Sequence, residues 1–368
     1  MRKLGSSSLL VLGLGILLVA GCSTESMGPI AEDQGSGTTL GRPDEAGQRG
    51  FVVVADRGSG TISVIDAKHD QVIGTHMLPA EPGEPTPEPM YVVYVKQMRR
   101  VFVGDRANDR VAVFNARDFS VVGTVPAGAG VFHMWADPQG QQMWVNNDID
   151  KTTTVFNPKT LEVIATVPTP ADLVDMGGKP HDVILGPQGD YAYVTVLGFS
   201  RASDYVVQFS TDSFMEVARA AVGKDPHLSV AQNLPWLFVP CQNTDEVYVL
   251  ELMGLGQQTV IDVPGAHGAG MSPNGRFFYT TNLPGGGAHA LYTISTKSLS
   301  VEGMPVDTPY MVPHNIAIAP NGKKLFVTHS GGMADKVTIY ETHGYSPIPV
   351  YAGEVTVGFN PFGLTYVP

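Results

Sequence analysis

The chain is short of charge, of cysteine and of cations, and each shortage narrows what it can be. Only 16% of its 368 residues are charged while 43% are hydrophobic, so it can bury a sizeable core and is not a disordered chain. Lysine and arginine number 23 against 35 acids, a formal charge of −12, which suits neither nucleic acid nor an anionic lipid surface. Two cysteines, Cys22 and Cys241, are too few for a disulfide framework. No phosphate loop, Rossmann glycine pattern, Gly-x-Ser-x-Gly elbow or Cys-x-x-Cys-His haem motif occurs, so the chemistry those motifs carry is not indicated. No helix of three turns is expected either; the closest approach, 172–176, is too short. What is plentiful is turn chemistry: 42 glycines and 28 prolines, about 19% of the chain against a usual ~12%.

The N-terminus stands apart from the rest. Arg2 and Lys3 precede an apolar run from Leu9 to Val19, too short to span a bilayer comfortably, which closes with Val19-Ala20-Gly21-Cys22 and reads as a signal peptide. These residues resemble the lipobox of bacterial lipoproteins. The resemblance implies cleavage before Cys22, lipidation of its thiol, and a membrane anchor as one partner of the protein; dual or triple acylation anchors stably where one chain does not. Ser23 after the cysteine implies, by the same resemblance, an outer-membrane protein of the cell envelope facing the periplasm or exterior. Without Arg2 and Lys3 the mature chain has 21 cations against 35 acids, a net charge of −14. Residues 22–50 are polar and glycine-rich and read as a flexible tether.

From Phe51 to Pro368 short runs of Val, Ile, Phe, Tyr and Thr alternate with Gly, Pro, Asn and Asp, the pattern of many short strands. The runs repeat. His181 to Thr195 (HDVILGPQGDYAYVT) matches His314 to Thr328 (HNIAIAPNGKKLFVT), with proline six residues after histidine in both, and His267 to Pro273 keeps that interval. Repeat starts at Met90, His133, His181, His227, His267, His314 and Phe362 are 43, 48, 46, 40, 47 and 48 residues apart. A period of ~40–45 residues with four strands is that of a propeller blade. The last segment, 362–367, supplies a first strand for the three at Phe51–Ala55, Thr61–Asp66 and Gln71–His76, so an all-β, seven-bladed β-propeller over 51–368, closed by one blade built from both termini, is expected.

The runs 51–56 (FVVVAD) and 60–66 (GTISVID), the Pro-Asn-Gly turns at 273–275 and 320–322, and Phe278-Tyr279-Thr280-Thr281-Asn282 resemble the YVTN repeats of seven-bladed propellers. That resemblance spans 51–368 and implies a fold; it implies little about function, because such repeats serve scaffolds, binding proteins and enzymes alike.

In a propeller the residues that open each repeat converge on one mouth of the central channel. His181, His227, His267 and His314 hold that position in four consecutive blades, with His133 one residue out of register. His289, His329 and Cys241 fall in loops on the same face, as do Arg57 and Arg106. Neutral imidazoles gathered without matching carboxylates suit copper, zinc or iron, and a thiol nearby leans the choice to copper. The placement alone is similar to the copper-histidine hubs of the nitrous oxide reductase and thiocyanate dehydrogenase propellers. It lacks their paired histidines, and no catalytic role is carried over. Asn146 to Asp150 could offer oxygen ligands to calcium but lacks the terminal glutamate and reads as a turn. Trp135, Trp144 and Trp236 read as packing between blades.

The expectation is therefore a lipid-anchored extracytoplasmic propeller binding a transition metal, copper first, through His181, His227, His267 and His314, with His289, His329 or Cys241 as further ligands, and with an electron-transfer partner if the metal is redox-active. Two alternatives stand beside it: a non-enzymatic scaffold for a protein or glycan, and a lactonase-like hydrolase. Arg57 and Arg106 fit the second, for which a channel-facing glutamate is hard to find.

Overall fold

The second strand of each repeat holds a run of three or four apolar residues, such as Val52-Val53-Val54-Ala55 and Leu325-Phe326-Val327, which requires cover on both faces. The computed structural model, which describes residues 50–231, 233–283, 287–343 and 346–368, provides that cover by setting small sheets side by side. The signal-peptide and lipidation expectations, Cys22 included, fall within 1–49 and so lie outside the described residues.

Seven antiparallel sheets form seven blades. Blade 1 is built from both ends of the chain, Pro361–Val367 pairing with Phe51–Asp56, then Thr61–Asp66 and Gln71–Met77. The innermost strands of blades 2 to 7 are Pro89–Val95, Val131–Ala136, Lys179–Leu185, Ser229–Val230, Ala266–Met271 and Pro313–Ile318. Blade 6 splits its outer strand into Ser300–Val301 and Val306–Thr308, both paired with Gly287–Ser295. One short helix, Ala171–Asp175, precedes blade 4. Burial falls from centre to rim: Phe51–Asp56 is buried after its first residue, whereas Gln71–Met77 is largely exposed.

The buried apolar residues make seven clusters, each shared by two neighbouring blades. Val53 and Ile62 of blade 1 pack with Val101 and Phe114 of blade 2, and Phe326 and Ile339 of blade 7 pack with Val52 and Ile65 of blade 1. An open row of seven blades has six such interfaces. The seventh makes the ring closed, and with it the sheet edges at the two chain ends are paired.

One irregularity recurs at the hub. In six blades the innermost strand gains a residue at the same point, so that two consecutive residues face one on the next strand. The doubled pairs are Phe362 and Gly363, Met90 and Tyr91, Phe132 and His133, His181 and Asp182, His267 and Gly268, and His314 and Asn315. Blade 5 reaches a similar position without the extra residue, through a bridge from Pro226 to Cys241. The expected repeat start at His133 is thereby corrected: Phe132 holds that position and His133 is the second residue of its bulge.

Candidate active site

The bulges set two tiers of side chains around the channel. The first tier closes on itself through ring contacts. Phe132 lies 5.0 Å from His181, His181 4.8 Å from His227, His227 3.9 Å from His267, His267 4.8 Å from His314, His314 4.2 Å from Phe362, and Phe362 6.2 Å from Phe132. The sequence thus places His181, His227, His267 and His314 correctly in one ring of residues.

The second tier carries the carboxylate missing from the sequence reading. Asp182 is buried and its Oδ1 lies 2.8 Å from His133 Nδ1; its Oδ2 lies 3.7 Å from His227 Nδ1. Backbone N–H groups of Val183 and Leu228 donate to the same two oxygens at 2.7 and 2.8 Å, fixing the carboxylate beside the two rings. Tyr91 stacks on His133 with centroids 3.7 Å apart. His181 and His227 meet through their Nε2 atoms at 3.4 Å, and Asp225 Oδ1 is 3.6 Å from His181 Nε2. The ligating atoms of His133, His181 and His227 lie within 4.8 Å of one another.

Burial decides the charge of this group. It pushes the imidazoles of His181, His267 and His314 well below their ordinary range, and the neighbouring histidines push the same way. His133 is also lowered by burial, with Asp182 partly opposing. Burial alone would raise the Asp182 carboxyl, but His133 and His227 outweigh it and hold it well below the usual range. The site therefore sets one carboxylate among buried imidazoles, four of which, His133, His181, His267 and His314, take up a proton less readily than usual. His133 Nε2 and both ring nitrogens of His267 are buried with no partner within the described residues, a state that ordinarily costs ~1–3 kcal/mol per group.

The remaining predicted residues lie elsewhere. His329 sits on Lys324–His329 with Nε2 2.9 Å from Thr338 Oγ1 and Nδ1 3.1 Å from the Met311 carbonyl, so both nitrogens are engaged. Cys241 is fully buried, its Sγ donating to the Val239 carbonyl at 3.4 Å, and burial raises its thiol well above the ordinary value. It is a core residue. His289 lies on Gly287–Ser295, its side chain outside the described residues. In the 146–150 loop, Asp148 pairs with Arg106 at 2.8 Å and Lys179 at 3.2 Å, and Asp150 accepts from the Ala129 N–H, as expected of a turn. Trp144 is fully buried and Trp236 packs between blades 5 and 6, but Trp135 is 45% exposed and lines the channel, which corrects its assignment to packing.

Arg57 and Arg106 stand over the first tier, 5.2 Å above Phe362 and 5.5 Å above Phe132. The glutamate not found in the sequence is Glu88, whose Oε1 accepts from Arg57 Nε at 2.6 Å. It belongs to the proline-rich connection before blade 2, which no repeat pattern assigns to the mouth. On the other side of the tiers a channel of 560 Å³ begins at Tyr91, His133, Asp182, His227 and His267.

Comparison with known proteins bears on what this site does. The family model described as "Lactonase, 7-bladed beta-propeller" matches residues 31–255. Among solved structures, the periplasmic gluconolactonase of Pseudomonas aeruginosa superposes with a TM-score of 0.68 at 16% identity, covering 87% of this chain and 99% of its own. A protein from Lactobacillus plantarum gives 0.69 at 17% identity, covering 87% and 100%, and hydrazine synthase of Kuenenia stuttgartiensis gives 0.60 at 17% identity, covering 78% and 90%. At these identities the likeness is one of fold. No curated protein matches the sequence. The lactonase match overturns the copper reading of the hub as the protein's function. That reading rested on imidazoles without a carboxylate, whereas Asp182 stands between two of them.

Proposed function

The chain belongs to the seven-bladed β-propeller lactonase family, and we propose that it is a lactone hydrolase whose general base is His133, oriented by Asp182. The observation that carries this reading is the 2.8 Å contact between Asp182 Oδ1 and His133 Nδ1, with Nε2 of the same ring unpartnered in a residue that lines the channel. The Nδ1–H of His133 donates to the carboxylate, which leaves the lone pair on Nε2.

A neutral imidazole in that tautomer accepts a proton from water as the water oxygen bonds to the lactone carbonyl carbon. The imidazolium so formed is stabilised by Asp182, as in any carboxylate-imidazole pair. When the ring C–O bond breaks, the leaving alkoxide recovers the proton from Nε2, giving a hydroxy acid and the neutral base. His267 has a free N–H whichever tautomer it adopts, and it lines the same end of the channel. It is placed to donate to the oxyanion of the tetrahedral intermediate. Low proton affinity at the buried rings keeps the base unprotonated at neutral pH.

The test is hydrolysis of γ- and δ-lactones by the purified chain, followed in a pH-stat. Asp182→Asn should lower kcat/KM by about 10²–10⁴-fold while circular dichroism stays that of the parent. Parent activity in the variant would remove the dyad, and failure to open any lactone would remove the reading.

We further propose that the enzyme is a cell-envelope lipoprotein held by acylated Cys22 through the 22–50 tether, its Ser23 directing it to the outer membrane. The lipobox-like 19–22 sequence supports this. Labelled palmitate should enter the parent protein and not Cys22→Ser, which should move to the soluble fraction; an unlabelled parent would refute the anchor.

A further inference from the structure

The hydrolytic groups occupy one end of the channel only. From there it follows the innermost strands to a mouth at Lys96, Gln97 and Pro273, a volume of 560 Å³ in all, well within the range of small-molecule sites, ~300–1,000 Å³. Between the two ends its wall includes Val93, Trp135, Ile184, Val230, Ala317 and Leu364. Trp135 pairs across the sheet with Trp144. The latter is fully buried, while the former is 45% exposed although it lies in an innermost strand, so its indole is open to the channel. A large exposed aromatic surface inside a molecule has a use only if something apolar lies against it.

Charge points the same way. The cations that reach the hub are already engaged: Arg57 with Glu88, Arg106 and Lys179 with Asp148. The channel itself holds the carboxylates Asp137 and Asp182 and a single cation, Lys96, at its mouth. A phosphate or carboxylate close to the lactone ring would meet like charge at the catalytic end, with the one lining cation, Lys96, away at the mouth.

We infer that the substrate is an uncharged lactone bearing an aliphatic chain, its ring held at His133 and Asp182 and its chain laid along the channel past Trp135 toward Lys96. This rests on the lactone-hydrolase reading and specifies its substrate class. The ring enters first, so chain length changes binding without changing the reacting bonds, and each methylene buried adds roughly fourfold to kcat/KM until the channel is filled.

The experiment compares γ-lactones carrying methyl, butyl and hexyl groups with 6-phosphoglucono-δ-lactone on the full chain. The expected result is a rise in kcat/KM of roughly 10³-fold from methyl to hexyl, the phosphorylated lactone falling well below the hexyl one, and a collapse of the hexyl-to-methyl ratio in Trp135→Ala. A flat series, or preference for the phosphorylated substrate, would overturn the inference and leave the hydrolase reading standing. Should no lactone be opened, the hydrolase reading fails, and the channel is judged by binding of a hexyl-substituted γ-lactam. Fluorescence quenching that vanishes in Trp135→Phe would support the apolar channel, and no quenching would overturn it.

Discussion

Single residues at the hub are expensive to keep, and their protonation gives the protein a pH signature with two opposing parts. His133, His181, His267 and His314 all have proton affinities lowered mainly by burial. The unfolded chain takes up protons at these positions below about pH 6.5 while the folded one does not, so their contribution to stability is intact above that pH and lost as pH falls below it. Asp56 acts the other way. Burial lifts its carboxyl from the ordinary 3.8 to about 6, against hydrogen bonds from Ser63 and Thr61, and its Oδ1 has no partner. Between those two values the folded state holds a proton that the unfolded state has released, so this group costs stability increasingly as pH rises through the window, by at most about 3 kcal/mol above it. Asp56→Asn should therefore melt higher than the parent at pH 7.5, with the gap shrinking toward pH 4 in thermal scans. A gap that does not change with pH would refute the assignment.

At the scale of the element, the bulge makes the site. A regular strand sends consecutive side chains to opposite faces, and would take Asp182 away from His181. The extra residue allows both to serve the hub, and it also brings neighbouring blades close. Gly268 N–H donates to Thr281 Oγ1 at 2.8 Å, and that hydroxyl donates to the His314 carbonyl at 3.0 Å. A Cβ on Gly268 would overlap that same carbonyl oxygen, which cannot rotate aside as a side-chain atom could. Gly268→Ala should cost about 3 kcal/mol or more, whereas Gly332→Ala, with nothing near its Cβ, should stay within ~0.5 kcal/mol. Urea titration of the two variants decides it; equal midpoints would mean that the blades can separate at the hub. The bulge also explains why His133 looked misplaced in the sequence: with Phe132 the first residue of the bulge, the histidine occupies the tier of Tyr91 and Asp182, its ring against the one and its Nδ1 against the other.

At the scale of the molecule, the ring has two unlike ends. On the loop side, paired charges cover a tier of aromatic rings; on the other, a channel with Trp135, Ile184 and Leu364 in its wall leads back to the same histidines. The period of the repeat, the number of blades, their closure by 362–367 and the four histidines at 181, 227, 267 and 314 were all legible in the sequence, because strand length, apolar runs and turn residues are local properties that recur with each blade. Asp182, Glu88 and the open face of Trp135 were not. An aspartate after a histidine reads as an outward residue unless the bulge is known, a glutamate in a proline-rich connection reads as surface, and an aromatic residue on a strand reads alike whether it meets the next blade or the channel. By itself the sequence determined a closed seven-bladed ring with histidines at its centre. Only the tertiary structure decided which of them meets a carboxylate, because His133, Asp182 and His227 come from three different blades and their distances depend on strand register and blade packing rather than on spacing along the chain.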